Sequence, residues 1–479
     1  MSNNVFSVAA PFLVEGEGVL EVLDGAIEVF GISISAGEEI FIPQGKVFPC
    51  IVSGSAKIRC KGCRIRIPKT EVFPRKWFEA LDIIRKMLKE AKVGPLRIIV
   101  IGYVDVGKSS FILYTANKLI ELGYKVGLID ADIGQAKLGP PGVISGAILD
   151  KQLLDLSAAR ILYAYFIGDK SPLGHLLPCI VGVRRILDMI SNKCDVVFID
   201  TTGLVFGGPG LALKRYKIEI VEPHVIFIIE KGKECEHIAR SAYVKTVIMR
   251  IPAPKTMRPT PRDARILLRK KAIMNFLKKC NEWDGFFSFD RVVLQNTSLH
   301  SGVPIENPQS ILGNSVVWAE LSANVFLIVL RKDAFTSIKE EIYRNARRFL
   351  ISLKTARAAI MLGGNFEEWI KSSPFLSSLS HEKVSELINI IERRKFDEIS
   401  IAVIPEDFYE NLYVGLLDRN LGLIGVGILR EIDFENKRLK IRSFIMENRS
   451  IDEAAVIRFG YLKFNENWEE MGRRKVGLL

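Results

Sequence analysis

Apolar and polar positions follow two different rhythms along this chain. Up to about residue 75, short apolar runs at 19–23, 26–30 and 39–42 alternate with turns such as Asp24-Gly25 and Ala36-Gly37. Short strands at that spacing predict a small all-β sandwich or barrel. A helix is predicted over 75–91, with Phe78, Leu81, Ile84 and Leu88 on one stripe. From Leu96 the rhythm changes. Nearly continuous apolar runs at 97–101, 126–129, 196–199, 225–229 and 247–251 are separated by helical segments. Such runs predict a parallel sheet covered by helices on both faces. A very basic helical segment spans about 255–279. Beyond it lie strand-like runs at 316–321, 325–330, 399–403, 412–416 and 423–429, and at least two helices.

Length and charge sharpen this picture. A chain of 479 residues exceeds one core and predicts two or three domains. The net charge of +12 favours an anionic partner, nucleic acid first. Seven irregularly spaced cysteines argue for a reducing, cytoplasmic compartment, or the nucleus of a eukaryote. Cys60 and Cys63 form one C-x-x-C pair. A structural zinc site normally needs two such pairs, so Lys61-Gly62 between them reads as a hairpin tip. The first residues carry no charged, apolar leader, and the apolar runs are too short to span a bilayer, so no membrane association is expected.

The chemistry begins at Gly102-Tyr103-Val104-Asp105-Val106-Gly107-Lys108-Ser109, a complete G-x-x-x-x-G-K-[ST] phosphate loop. It follows a buried strand and precedes a helix opening at Ser109-Ser110. The two glycines let backbone N–H groups turn inward, and the helix N-terminus adds its dipole. The segment from Gly102 to Ser110 is therefore the expected ATP site. Lys108 pairs with the β- and γ-phosphates and the Ser109 hydroxyl binds Mg2+. The fold class follows: α/β, a P-loop parallel-sheet core between an N-terminal all-β domain and a C-terminal α+β domain. The expected divisions are 1–75, a connecting helix at 76–95, 96–285 with a basic lid near 255–279, and 286–479. The deviant loop of partition ATPases needs a lysine just after the first glycine, where Tyr103 and Val104 stand. A guanine-selecting Asn-Lys-x-Asp is also missing.

Three further constellations close strands or cover the loop. Asp130-Ala131-Asp132 ends one run and leads to Gln135 and Gly139-Pro140-Pro141-Gly142. Carboxylates at alternate strand positions share a side. One suits Mg2+ and the other a proton from an attacking hydroxyl. Asp200-Thr201-Thr202-Gly203 ends the next run, with Asp200 a second metal-side candidate. Inspection leaves open which acid dominates. Arg265 and Arg269 lie four apart on one face of the basic helix. They fit a clamp on a transferring phosphoryl group, or a basic face for an RNA backbone.

The phosphate loop, Asp-x-Asp-x-Gly-Gln followed by Pro-Gly, Thr-x-Gly and Arg-x-x-x-Arg occur here in that order. Together they resemble the polynucleotide 5′-hydroxyl kinases, the cleavage-factor-associated and ribosomal-RNA-processing RNA kinases. The stretch from Asp24 to Gly31 resembles their N-terminal domain. The stretch Gly415-Leu416-Leu417-Asp418-Arg419-Asn420 with Gly425-Val426-Gly427 resembles their C-terminal one. The resemblance implies a kinase that transfers the γ-phosphate of ATP to the 5′-OH end of RNA or DNA, in RNA processing with its proteins. It implies Lys108, Asp132, Arg265 and Arg269 as catalytic residues, with Asp132 the base. Gln135, Thr201, Thr202 and Gly203 become substrate contacts, and Ser109 holds the metal; Asp130, Asp132 and Asp200 are the metal candidates, with Asp130 and Asp200 secondary because some relatives carry Glu and Asn there. Many relatives carry Trp where this chain has Leu204. Some members hold ATP without transfer, so a non-catalytic scaffold is the alternative. A generic ATPase or GTPase switch is a third.

Overall fold

The computed structural model describes residues 3–90, 94–242, 245–391 and 398–474. They divide into two compact units, one ending at Lys278 and the other beginning at Lys279. The boundary falls a few residues before the expected one at 286.

The first unit opens with two antiparallel sheets. One orders the strands Asn3–Val8, Ala56–Lys61, Gly18–Asp24 and Glu39–Ile42. The other orders Ile32–Ser35, Ala26–Val29, Val47–Val52, Phe12–Glu15 and Arg64–Arg66. Alternate residues such as Leu20, Val22, Ile27 and Val29 are buried between them, giving the expected sandwich. Lys61-Gly62 is not a hairpin tip. Ala56–Lys61 and Arg64–Arg66 lie in different sheets, and Gly62, at φ +81°, turns the chain from one to the other. Cys60 and Cys63 are free thiols, Cys63 donating to the Val19 carbonyl at 3.3 Å. Among the described residues no cluster of three or more His, Cys, Asp or Glu is arranged to hold a metal ion.

The connecting helix runs Lys76–Glu90, and Ala91 lies outside the described residues. Its buried stripe is Trp77, Ala80 and Ile84, while Phe78 is half exposed. The stripe is turned from the expected one because Trp77 packs edge-on against Phe111 of the following domain, ring centroids 5.5 Å apart. The sandwich, this helix and one face of the next sheet share a single core.

That next sheet orders Tyr163–Phe166, Val143–Leu149, Val126–Ala131, Val196–Thr201, Leu96–Ile101, Val225–Glu230 and Val247–Pro252. All five predicted strands are present and mutually parallel. The sheet is not wholly parallel. Val143–Leu149 and Tyr163–Phe166 extend one edge antiparallel. Helices Lys108–Glu121, Leu176–Ile190 and Gly207–Val221 cover it. The basic segment is a helix only over Arg262–Leu277. This α/β P-loop core with its strand-rich N-terminal domain is the expected fold class.

The second unit holds an antiparallel sheet built on Cys280–Ser288, Arg438–Met446, Leu423–Asp433, Leu412–Leu417 and Val456–Phe464. A smaller sheet contains Val316–Leu321, Val325–Leu330 and Ser400–Pro405. The long helix Phe335–Met361 buries Ile342, Phe349 and Leu353 in the same core as that sheet. Five strands of this unit, Val316–Leu321, Val325–Leu330, Ser400–Pro405, Leu412–Leu417 and Leu423–Asp433, begin at or within one residue of the expected position.

Candidate active site

The phosphate loop leaves Leu96–Ile101, and the helix Lys108–Glu121 begins directly after Gly107. Gly107 sits at φ +95° and Asp105 at φ +56°, the left-handed conformations that curl the loop. Lys108 is 7% exposed, and its Nζ donates to the Tyr103 carbonyl at 2.8 Å. The Ser109 hydroxyl donates to Asp200 Oδ2 at 2.6 Å. Asp200 Oδ1 is buried, with no hydrogen-bond partner among the described residues. Burial raises the Asp200 pKa, against the opposing pull of Lys108 and Ser109.

The three acids take three different places. Asp130 is 2% exposed and stands abreast of Asp200 on the neighbouring parallel strand. Its oxygens accept N–H groups of Asp132 at 3.1 Å, Lys137 at 2.5 Å and Leu138 at 3.0 Å. It closes the loop that follows its own strand. Burial, then the Asp200 charge, pushes its pKa up to about 7. Asp132 is less buried. Its Oδ1 accepts Gly134 N at 3.1 Å and Gln135 N at 3.2 Å, and no described residue donates to Oδ2.

Lys108, Ser109, Asp132, Gln135 and Lys137 line one cavity of about 340 Å³. Its far wall comes from the N-terminal sandwich, including Glu15, Phe30, Lys46, Phe48 and Pro49, with Phe73 following. The lid side contributes Arg258 and Thr260. The volume lies in the range of ligand pockets. Local sequence carried no signal for the sandwich wall, because it joins the loop through tertiary packing.

The Thr-x-Gly residues lie deeper. Thr201 is fully buried and its hydroxyl donates to the Val100 carbonyl at 2.8 Å. Thr202 Oγ1 accepts Leu204 N at 3.0 Å. A Cβ on Gly203 would lie 2.4 Å from Val104 Cγ2, so only glycine lets this strand end pack against the phosphate loop. Two unpredicted lysines lie beneath it, one of them bonded to it. Lys214 and Lys217 are fully buried on Gly207–Val221. Lys214 Nζ donates to the Thr202 carbonyl at 2.5 Å, and burial lowers the pKa of both.

Of the lid pair, Arg265 Nη2 reaches Asp105 Oδ2 at 2.9 Å. Arg269 follows one turn later on the same helix, Arg262–Leu277. From Lys255 to Lys278 Asp263 is the only acid, and the chain's positive excess falls wholly in the first unit. Outside the cavity lining, the Tyr103 and Phe206 rings touch at 5.2 Å between centroids. They are 44% and 53% exposed.

The family model described as mRNA cleavage and polyadenylation factor CLP1 P-loop matches residues 102–279. A polyribonucleotide 5′-hydroxyl-kinase of Pyrococcus furiosus is 30% identical over 381 residues, covering 79% of this chain and 90% of the relative. One of Methanocaldococcus jannaschii is 28% identical over 404 residues, covering 84% and 95%. The human polyribonucleotide 5′-hydroxyl-kinase Clp1 is 24% identical over 255 residues, covering 48% and 58%. A solved Clp1p–Pcf11p complex matches in fold, with TM-score 0.56 and 11% identity, over 96% of this chain and 98% of Clp1p. With a relative at that identity covered almost end to end, the chain belongs to the polyribonucleotide 5′-hydroxyl-kinase family of phosphotransferases.

Proposed function

We propose that this chain transfers the γ-phosphate of ATP to the 5′-hydroxyl end of RNA, in RNA processing. One observation carries the reading: the phosphate loop and the Asp132 carboxylate line the same cavity. The sandwich wall with Phe30, Phe48 and Pro49 receives the adenine, and the loop N–H groups receive the triphosphate. Asp132, with Oδ1 held by two backbone amides, keeps Oδ2 to accept the proton of the attacking 5′-OH. Lys108 and Arg269 oppose the charge that develops on the transferred group, Arg269 from a lid that Arg265 holds to Asp105.

The residues fit Mg2+. Ser109 Oγ and the unpartnered Asp200 Oδ1 are the hard oxygen donors such an ion takes, directly or through water. Bound there, Mg2+ would neutralise β- and γ-phosphate charge.

Thr201 supports the site from within rather than touching RNA, since its hydroxyl is already given to Val100. With Leu204 in the place of the relatives' Trp, the exposed Tyr103–Phe206 pair offers a stacking surface for a terminal base. The scattered, free cysteines support a reducing, cytoplasmic setting.

The test is end-labelling of matched 5′-OH RNA and DNA oligonucleotides with γ-labelled ATP. Wild type labels the ends, and Lys108→Ala and Asp132→Asn lose at least about a hundredfold in rate. Bound, unhydrolysed ATP with no labelled product would convert the enzyme into a scaffold. Hydrolysis without a labelled end would make it an ATPase.

A further inference from the structure

Asp105 occupies a variable position of the phosphate-loop motif, and the loop needs no carboxylate there. A negative charge beside a triphosphate is unfavourable unless it is turned away and compensated. Both conditions hold. The left-handed backbone at φ +56° presents the side chain to the lid. There Oδ2 accepts Thr260 N at 2.8 Å and Arg265 Nη2 at 2.9 Å, and Oδ1 accepts the Thr260 hydroxyl at 3.1 Å. The Asp105 side chain is 15% exposed.

The segment it grips is stiff. Pro259 and Pro261 flank Thr260, each with φ fixed by its ring. Arg262–Leu277 starts directly afterwards, and Arg265 lies in its first turn. Upstream, Pro254 rests on the loop, so that a Cβ added to Gly107 would lie 3.5 Å from Pro254 Cδ. The basic helix is thus bolted to the phosphate loop through one carboxylate, not merely laid near it.

We propose that Asp105 is a positioning residue that registers the lid helix on the phosphate loop. Its partner Arg265 anchors the lid, and the loop's conformation sets the lid's position over the transferring phosphoryl group. The rate effects rest on the kinase reading above. The structural effect does not.

Two measurements on the full chain test it. Hydrogen exchange compares wild type with Asp105→Ala. Peptides covering 255–268 should exchange at least about tenfold faster in the variant, while those from Phe335–Met361 stay unchanged. Equal rates at 255–268, or faster exchange everywhere, overturn the proposal. The second measurement is transfer kinetics of Asp105→Asn, Arg265→Gln and the double variant. Each single should lower kcat about tenfold with KM for ATP within threefold, and the double should match the worse single. Arg265→Lys should regain most of the lost rate with Asp105 present and none with Asn there. Effects that multiply overturn the latch, as does a raised KM for ATP with kcat unchanged. If the wild type labels no 5′ end while Asp105→Ala still exchanges faster at 255–268, the kinase reading is rejected and the latch stands.

Discussion

Replacing Asp200 with Asn should make the protein more stable and a worse enzyme. Asp130 and Asp200 lie abreast on adjacent parallel strands, and both are 2% exposed. Neighbouring strands are about 4.8 Å apart. Two unit charges about 5 Å apart repel by about 3 kcal/mol at an effective dielectric constant of 20. Asp130, pushed up to about 7, is only partly ionised at neutral pH, which roughly halves that repulsion. Asn keeps an acceptor for the Ser109 hydroxyl and removes the charge. The gain is about 1–2 kcal/mol, and for a unit of this size that raises Tm by about 2–8 °C.

The pH dependence has a definite sign. Both carboxyls titrate above their unfolded values, so the folded chain holds those protons more tightly. Their contribution to stability is fully present below about pH 4 and is lost as pH rises through about 7. Asp200→Asn should flatten that fall. The same change removes the charge that orders Ser109 and that the proposed Mg2+ site would use. Such losses cost about 10–100-fold in metal affinity or activity. Thermal melts of the metal-free protein at pH 5 and pH 8, with end-labelling across a Mg2+ titration, read both effects. An Asp200→Asn Tm below the wild-type Tm at pH 8, or full kcat at an unchanged Mg2+ midpoint, would refute the reasoning.

Three other substitutions separate support from contact. Thr201→Val should lower Tm by a few degrees, because the Val100 carbonyl loses its donor at a cost of about 1–2 kcal/mol, with KM for RNA unchanged. A KM shift at constant Tm would put the hydroxyl on substrate instead. Phe206→Ala should raise KM for RNA about 5–100-fold, the worth of one stacked base, and spare KM for ATP; the reverse pattern assigns the ring to the nucleotide. In the second unit, burial lifts Glu320 to about 7, although His300 N, Ser301 N and Trp318 Nε1 donate to it. Stability present below about pH 4.5 is therefore lost as pH rises through 7, and Glu320→Gln should flatten that slope in urea unfolding, whatever it does to the absolute value.

What the sequence displayed and what it hid divide along a physical line. Strand ends, glycine loops and acid positions are local, and the five parallel strands and the phosphate loop stood out for that reason. The edge strands Val143–Leu149 and Tyr163–Phe166 escaped notice because Gly146 and the short run at Tyr163 interrupt the apolar pattern. The cavity wall from Phe30, Phe48 and Pro49 escaped because no local pattern says which surface a β-sandwich turns toward a distant loop.

The acids show why residue type alone stops short. Asp130, Asp132 and Asp200 carry the same signature, and each was a metal candidate. Register then separates them. Parallel pairing sets Asp130 beside Asp200, while Ser109 arrives from the helix after the central strand and reaches only Asp200. Asp130, left without a cation, is surrounded by three backbone N–H groups and becomes a loop cap. Asp132, two residues on, has left the paired ladder for the cavity edge, where one oxygen stays available for a proton. Pairing across about 70 residues decides these three fates, and it does so through a hydrogen-bond ladder whose register only the assembled sheet contains. Residue type leaves the three acids equivalent; the hydroxyl of Ser109 singles out Asp200 among them.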